Sequence, residues 1–195
     1  MVRILEKQLD QMNGDELGRL FPIIISDHDS KWLNLYLSEK TNLELLIGLN
    51  NIIRINHYGS TSVSNLYAKP TIDILLEIQN NMDTDQIISL LKGIGYNYSP
   101  QPNNPAPHMM FMKGYTQNGF SGQAYHVHIR YNGDWDELYF RDYLILYPKI
   151  AEKYGELKLR LKEKYEFDRD GYTSAKSCFI KSITEKARKE FGKRY

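Results

Sequence analysis

Two short segments, HYGSTSV at residues 57–63 and AKPTIDI at residues 68–74, decide how the chain folds around its centre. Apolar and polar residues alternate over residues 53–57, which predicts a strand that ends at the Tyr58–Gly59 break. The polar turn that follows opens a short helix-like stretch, and this stretch ends before Pro70. We therefore expect a strand, a tight turn and a short helix to precede a second strand.

Residues 71–78 have the composition and alternation of that second strand, and its two faces differ in character. One face is entirely apolar, whereas the other carries two carboxylates. The apolar face comprises Ile72, Ile74, Leu76 and Ile78, and the other comprises Thr71, Asp73, Leu75 and Glu77. We therefore expect Asp73 to project from the polar face of this strand.

The remaining pattern predicts helices and two further strands. A proline-rich loop at residues 99–108 divides the chain into two halves. The elements, in chain order, are a helix that begins after residues 27–30, a helix at 84–95, strands at 108–113 and 125–131, a helix from Asp134 or Asp136 to Pro148, a helix over 150–161, and a helix at 175–191 capped by Thr173. Four strands with helices at the end of the chain indicate an α+β fold, with a short sheet covered by helices mainly on one side.

Composition excludes several classes of protein. The 195 residues include 25 Lys and Arg against 24 Asp and Glu, so no overall field attracts a membrane or a broad nucleic-acid surface. The single cysteine, Cys178, excludes an internal disulfide framework and a cysteine-rich zinc module. The first residues lack the apolar run of a signal peptide, and no segment approaches the roughly 20 apolar residues of a membrane span. We expect a cytoplasmic protein.

A glycine–serine turn between a strand and a helix start is typical of phosphate binding, because free N–H groups and the helix dipole point at the anion. The candidate binding residues are Gly59, Ser60, Thr61 and Ser62. Asp73, on the next strand, is suited to hold a divalent metal beside that phosphate. The alternative is a capped helix with a solvated aspartate. The spacing of Lys69 and Asp73 from the turn favours the phosphate site.

These segments resemble the GrpB family, a branch of the nucleotidyltransferase-like superfamily. Further matches are YHVH at residues 125–128, FRDYL at 140–144 with Pro148, Tyr154 with Leu157 and Lys158, and Tyr172 with Lys176, Phe179 and Ile180. The resemblance runs from about Ile23 to about Ile183, so we expect an N-terminal extension at residues 1–22 and a domain at 23–195. It implies a nucleotidyltransferase-like fold with a short mixed sheet and a site at the glycine–serine turn. The resemblance does not imply an established reaction.

The metal site is where the chain departs from the active superfamily pattern, which has two acidic residues at positions i and i+2 of the second strand. The i+2 residue here is Leu75, and Glu77 is about 13 Å along the strand from Asp73. His126 and His128 face one side of their strand, and beside Asp73 they would complete a two-histidine, one-carboxylate site. This donor set favours manganese, iron or zinc over magnesium. The expected cofactor is a divalent metal ion: manganese, zinc or, with substrate phosphates, magnesium. The alternative is a structural histidine pair.

The resemblance and the residues together predict transfer of a nucleotidyl group from a nucleoside triphosphate to an acceptor. The candidate catalytic residues are Asp73, Lys69, Lys176 and Arg141, the three cations neutralising phosphate oxygens. A solvated helix face or an ion pair is the alternative for Arg141 and Lys176. Two other functions stay open. One is binding of a nucleotide or another phosphorylated small molecule without turnover, and the other is an accessory role in coenzyme A metabolism, since family members are fused to dephospho-CoA kinase. The acceptor, the base and the oligomeric state do not follow from the sequence.

Overall fold

A five-stranded mixed sheet forms the centre of the computed structural model, which describes residues 7–104 and 106–195. The strands are β1 (Ile52–His57), β2 (Thr71–Ile78), β3 (Asn97–Ser99), β4 (Met109–Thr116) and β5 (Gly119–Tyr131). Their order across the sheet is β1-β2-β5-β4-β3. β2 and β5 are parallel, whereas the other neighbouring strands are antiparallel. The parallel pair at the centre of this order carries the residues of the candidate site.

Helices surround the sheet unequally. They are α1 (Gly14–Leu20), α2 (Lys31–Ile47), α3 (Thr84–Gly93), α4 (Asp136–Leu146), α5 (Pro148–Tyr165) and α6 (Arg169–Phe191). α2 and α3 pack on one face of the sheet, while α4, α5 and α6 pack on one another as a C-terminal layer. None of the helices in the described part of the chain is both long and apolar enough to traverse a bilayer. The predicted α+β class, with a short sheet and helices mainly on one side, is confirmed.

The two faces of β2 separate as the alternation predicts. Its four branched apolar residues join the core beneath α2 and α3, and burial of each such side chain contributes about 1.5–3 kcal/mol. These residues are Ile72, Ile74, Leu76 and Ile78. The opposite face is also covered, because Leu75 and Glu77 are buried. Asp73 retains a quarter of its side-chain surface, so it is the accessible carboxylate of this strand.

A second, smaller core joins the glycine–serine turn to the C-terminal layer. Val63 and Leu66, which follow the turn, are buried against Leu144, Ala151 and Tyr154 of α4 and α5. The turn therefore lies between the end of the sheet and the C-terminal helices, where both contribute side chains to one site.

The structure corrects three sequence predictions. The helix expected after the turn is a single 3-10 turn, Ser60–Ser62, because the residues after it enter the second core. The last helix begins at Arg169 and not after Thr173, because the Asp168 carboxylate accepts an N–H of the first helical turn. A fifth strand, Asn97–Ser99, is present because these three residues pair with β4.

Candidate functional site

Gly59 is the point at which the turn approaches Asp73. A Cβ atom on Gly59 would lie 2.1 Å from Oδ2 of Asp73 and 2.6 Å from its Cβ. The φ angle of Gly59 is an ordinary −71°, so the close contact alone, and not the backbone conformation, requires glycine. The adjacent Tyr58 N–H donates to the Asp73 carbonyl (3.1 Å), which extends the β1–β2 pairing to the turn. The turn and the Asp73 carboxylate consequently form one surface.

Thr61 supports the turn from the inside. Its hydroxyl donates to the Thr71 carbonyl (2.9 Å) and therefore accepts from Nε2–H of His57 (2.8 Å). Burial lowers the pKa of His57 to about 4, so the ring is neutral at pH 7 and its proton resides on Nε2. Because the Thr61 side chain is buried and its hydroxyl is used internally, the structure does not bring that hydroxyl to the predicted binding surface.

Backbone N–H groups are the free donors of the turn. Ser62 donates its hydroxyl to the Gly59 carbonyl (2.6 Å), and its N–H donates to the same carbonyl (2.9 Å). Within the described ranges, the N–H groups of Gly59, Ser60 and Thr61 have no hydrogen-bond acceptor. A phosphate at this turn would thus meet backbone donors. The 3-10 turn supplies no long helix dipole, so the charge must come from side chains.

Asp73, His126 and His128 converge on one side of the sheet. The parallel register of β2 and β5 pairs Asp73 with His126 and Leu75 with His128. One ligand atom from each of the three polar residues lies within 4.8 Å of the other two. Nδ1 of His126 is 3.1 Å from Oδ1 of Asp73, a separation that two ligands of one metal ion can have. The donor set therefore fits manganese, iron or zinc.

The charge states of this cluster suit a cation. Burial acts to raise the pKa of Asp73, but the hydrogen bond from His126 and the nearby cations, including Lys69, outweigh it and lower that pKa. Burial lowers the pKa of His128 to about 4, although the Asp73 carboxylate acts in the opposite direction. At pH 7 the site therefore holds a carboxylate and a neutral imidazole, which are the forms that bind metal.

Lys69 and Lys176 lie over one aromatic ring. Their ammonium groups are 5.7 Å and 4.4 Å from the ring centre of Tyr172. Burial and the charge of Lys69 lower the pKa of Lys176 to about 8, while the Asp73 carboxylate raises it. Burial and Arg169 likewise lower the pKa of Lys69. The structure thus brings both predicted lysines to the side of the sheet that carries Asp73.

Lys158 was not among the site residues that sequence reasoning selected. It is only 2% exposed, and within the described chain neither its Nζ nor the hydroxyl of Tyr172 has a hydrogen-bond partner. Burial and the charges of Lys176 and Lys69 lower the pKa of Lys158 well below its ordinary value. Lys158 follows Tyr154 by one helical turn and so shares its buried face, a spacing that could have identified it. We call Lys69, Lys158 and Lys176 the lysine cluster.

The Arg141 side chain binds residues outside the lysine cluster. Its guanidinium donates to the Asp142 carboxylate (2.7 Å), the Asn56 amide oxygen (3.3 Å), the His57 carbonyl (3.1 Å) and the Tyr195 hydroxyl (3.2 Å). These bonds fasten α4 to the end of β1 and to the C-terminus. The structure therefore gives Arg141 an ion pair and does not bring it into the lysine cluster.

Tyr115 is a second residue that the sequence did not reveal. Its hydroxyl is 2.8 Å from Nε2 of His126, on the side of the ring opposite Asp73. Tyr115 also lines an open groove of about 1420 Å³ between α1 and the start of α6. Asp73, His126 and His128 do not line this groove, so Tyr115 lies between the groove and His126.

Comparison with known proteins agrees with this architecture. The crystal structure of conserved protein GrpB from Enterococcus faecalis superposes with a TM-score of 0.72 and 30% identity, covering 86% of this chain and 99% of that one. The Glutamate-rich protein GrpB of Alkalihalophilus pseudofirmus is 32% identical over 164 residues, which are 83% of this chain and 93% of that protein.

A longer relative matches equally well. The Bacillus subtilis protein named UPF0157 protein YqkA is 33% identical over 165 residues, which are 83% of this chain, and the chain spans only 46% of that protein. The family model described as GrpB protein matches residues 22–186. This match covers the sheet, the turn, the candidate metal cluster of Asp73, His126 and His128, and the lysine cluster, and the chain belongs to the GrpB family.

Proposed function

We propose that this protein binds the phosphates of a nucleoside triphosphate between the Gly59–Ser62 turn and the C-terminal helices, and transfers the nucleotidyl group to an acceptor. The observation that carries the proposal is the position of the lysine cluster beside Asp73, His126 and His128. The resemblance of the GrpB family to nucleotidyltransferases supports the same reaction class.

The lysine cluster favours a polyanion over a single phosphate. Burial lowers the pKa of all three amines, and a neighbouring positive charge adds to this effect, from lysines at Lys158 and Lys176 and from Arg169 at Lys69. A buried ammonium without a partner is unfavourable by several kcal/mol, and a phosphate oxygen removes that penalty. In the described part of the chain, the carboxylate of Asp73 acts on all three amines and balances one ammonium, so a ligand that keeps all three protonated would supply two further negative charges. A triphosphate carries that charge.

A divalent cation fits the cluster of Asp73, His126 and His128, which the donor set assigns to manganese or zinc before magnesium. Bound there, it would neutralise charge on the phosphate beside Gly59. The turn's N–H groups orient the same phosphate, because Gly59 lets the backbone come within contact distance of Asp73.

The chemical step needs no further cofactor. The bond between the α-phosphorus and the oxygen that bridges it to the β-phosphate breaks, and a new bond forms from the α-phosphorus to the acceptor oxygen. Pyrophosphate leaves with that electron pair, and the acceptor proton passes to solvent, which reaches the partly exposed Asp73. Protonated lysines hold the growing charge on pyrophosphate.

Binding is tested by calorimetric titration of the four ribonucleoside triphosphates with Mn²⁺ present. Lys158→Met removes the buried amine, and Lys153→Met changes an exposed lysine of the same helix as the control. Charge-assisted hydrogen bonds contribute about 1.5–3 kcal/mol, so Lys158→Met should weaken binding at least about tenfold. Equal affinity in Lys158→Met and wild type would reject the phosphate site.

A turnover assay distinguishes catalysis from binding of a ligand without turnover. Leu75 favours binding without turnover. Leu75 is 1% exposed and occupies the position where the active superfamily pattern has its second acid. With water as acceptor, a nucleotidyltransferase releases pyrophosphate and a nucleoside monophosphate from the bound triphosphate. Tight binding without pyrophosphate release would establish a nucleotide-binding protein. Tight binding of coenzyme A, but of none of the triphosphates, would favour the accessory role.

A further inference from the structure

The hairpin of β4 and β5 contains an irregularity beside the metal cluster. The regular register pairs Lys113 with Tyr125, and beyond Gly114 it shifts so that Tyr115 pairs with Phe120. Irregularities of this kind re-aim side chains and are common next to functional sites. Gly114 has a φ angle of +89°, and a Cβ atom there would lie 2.6 Å from the Gln123 carbonyl oxygen, so both the backbone conformation and the space require glycine.

The irregularity changes the face to which Tyr115 belongs. Lys113 contacts Glu39 of α2, on the face of the sheet opposite the metal cluster. Strict alternation would place Tyr115 on that same face, two residues further along the strand. Its ring instead stacks on the ring of His126, with centroids 5.6 Å apart and planes 18° apart. The rings of Phe21 and Phe120 also pack against the Tyr115 ring, with centroid separations of 5.0 Å and 5.3 Å.

His126 forms a hydrogen bond through each of its two ring nitrogens. An ionised carboxylate only accepts, so the bond to Asp73 requires the ring proton on Nδ1. In the tautomer with Nδ1–H, Nε2 accepts a hydrogen bond from the Tyr115 hydroxyl.

We propose that Tyr115 is a positioning residue that fixes the orientation of the His126 ring, so that Nδ1 faces Asp73 and is available to a cation at this cluster. The proposal rests on the metal site of the proposed function. A phenol can accept as well as donate. If Nδ1 held a cation, the ring proton would be on Nε2 and the Tyr115 oxygen would accept a hydrogen bond from it, so the same contact would orient the ring in both forms. Contacts of this kind typically change metal affinity 10- to 100-fold.

Tyr115→Phe tests this role without removing the aromatic ring that packs against Phe21. Tyr98→Phe is the matched control, because Tyr98 lies in the same sheet and contacts Phe111 rather than a metal ligand. Calorimetric titration with Zn²⁺ should give a dissociation constant at least about tenfold higher for Tyr115→Phe and unchanged for Tyr98→Phe. Wild-type zinc affinity in Tyr115→Phe would overturn the proposal.

A second measurement examines Tyr115 in the metal-free protein. Long-range ¹H–¹⁵N NMR of wild type should show His126 protonated on Nδ1, with an Nε2 resonance that moves in Tyr115→Phe as its hydrogen bond is lost. An Nε2 resonance that Tyr115→Phe leaves unchanged would overturn the role of Tyr115. If wild type binds no Zn²⁺ and no Mn²⁺, the metal part of the proposed function fails, and the NMR result still decides on Tyr115.

Discussion

Lys176→Met should stabilise the protein while weakening its ligand binding. Burial near Lys69 gives Lys176 a pKa of about 8 against an ordinary value of 10.5. Between these two values the unfolded chain binds a proton that the folded chain does not, so the free energy of unfolding rises with pH across this interval. Below about pH 8 the folded protein carries the full penalty of a buried charge.

The size of the effect follows from the two pKa values. Each pKa unit corresponds to about 1.4 kcal/mol, so the difference is worth about 3 kcal/mol at pH 7. The Lys176 ammonium lies 4.4 Å from the ring centre of Tyr172, and this cation–π contact stabilises the charged amine in the folded protein by about 0.5–2 kcal/mol. We therefore expect Lys176→Met to raise the free energy of unfolding by about 1–3 kcal/mol at pH 7. For a chain of this length, each kcal/mol raises Tm by about 2–4 °C.

Urea unfolding at pH 7, 8, 9 and 10 measures this difference. Lys181→Met, an exposed position on the same helix, is the control and should behave like wild type. The advantage of Lys176→Met should diminish as pH rises from 8 towards 10.5, because folded wild type no longer holds a buried charge on Lys176. A variant that is no more stable than wild type at pH 7, or an advantage that does not change with pH, would refute the reasoning. Nucleotide affinity should fall in the same variant.

Two further predictions concern close contacts of the sheet. Gly59→Ala should weaken Mn²⁺ or Zn²⁺ binding at least about tenfold, because the new Cβ atom would lie 2.1 Å from Oδ2 of Asp73 and displace the carboxylate. Calorimetry would compare it with Gly93→Ala, where nothing lies within 4 Å of the added atom, and equal affinities would contradict the prediction. Arg54→Met should lower the free energy of unfolding by about 3 kcal/mol, because it leaves the fully buried Glu77 carboxylate without the guanidinium that donates to it at 2.7 Å. If urea unfolding shows that Arg54→Met lowers the free energy of unfolding by less than about 1 kcal/mol, the remaining hydrogen bonds satisfy the Glu77 carboxylate and the prediction is wrong.

The local elements of this fold were accessible to sequence analysis because their signals are local. The alternation of residues 71–78 is a property of one strand, and its apolar face lies in the core as predicted. Where the local signal was ambiguous, the prediction was wrong. Asp168 and Thr173 are both good helix caps, and only the hydrogen bond of Asp168 determines that α6 begins there.

The site shows the same division between local and non-local information. The separation of His126 and His128 by two residues predicts that they share a face, but not that β5 lies beside Asp73. That neighbour relation comes from the parallel pairing of β2 and β5, with α3, β3 and β4 between them in the chain. Metal binding at this cluster stays a prediction.

The sequence by itself determined four of the five strands, most of the helices, the glycine–serine turn and the family resemblance, because each depends on residues that are close together in the chain. The tertiary structure alone decided that the Thr61 hydroxyl is used internally, that Arg141 is held in an ion pair, and that Lys158 lies beside Lys176. The physical reason is that burial and pairing depend on strand register and on how the C-terminal helices pack. A hydroxyl or a cation becomes a binding group only where that packing leaves it without an internal partner.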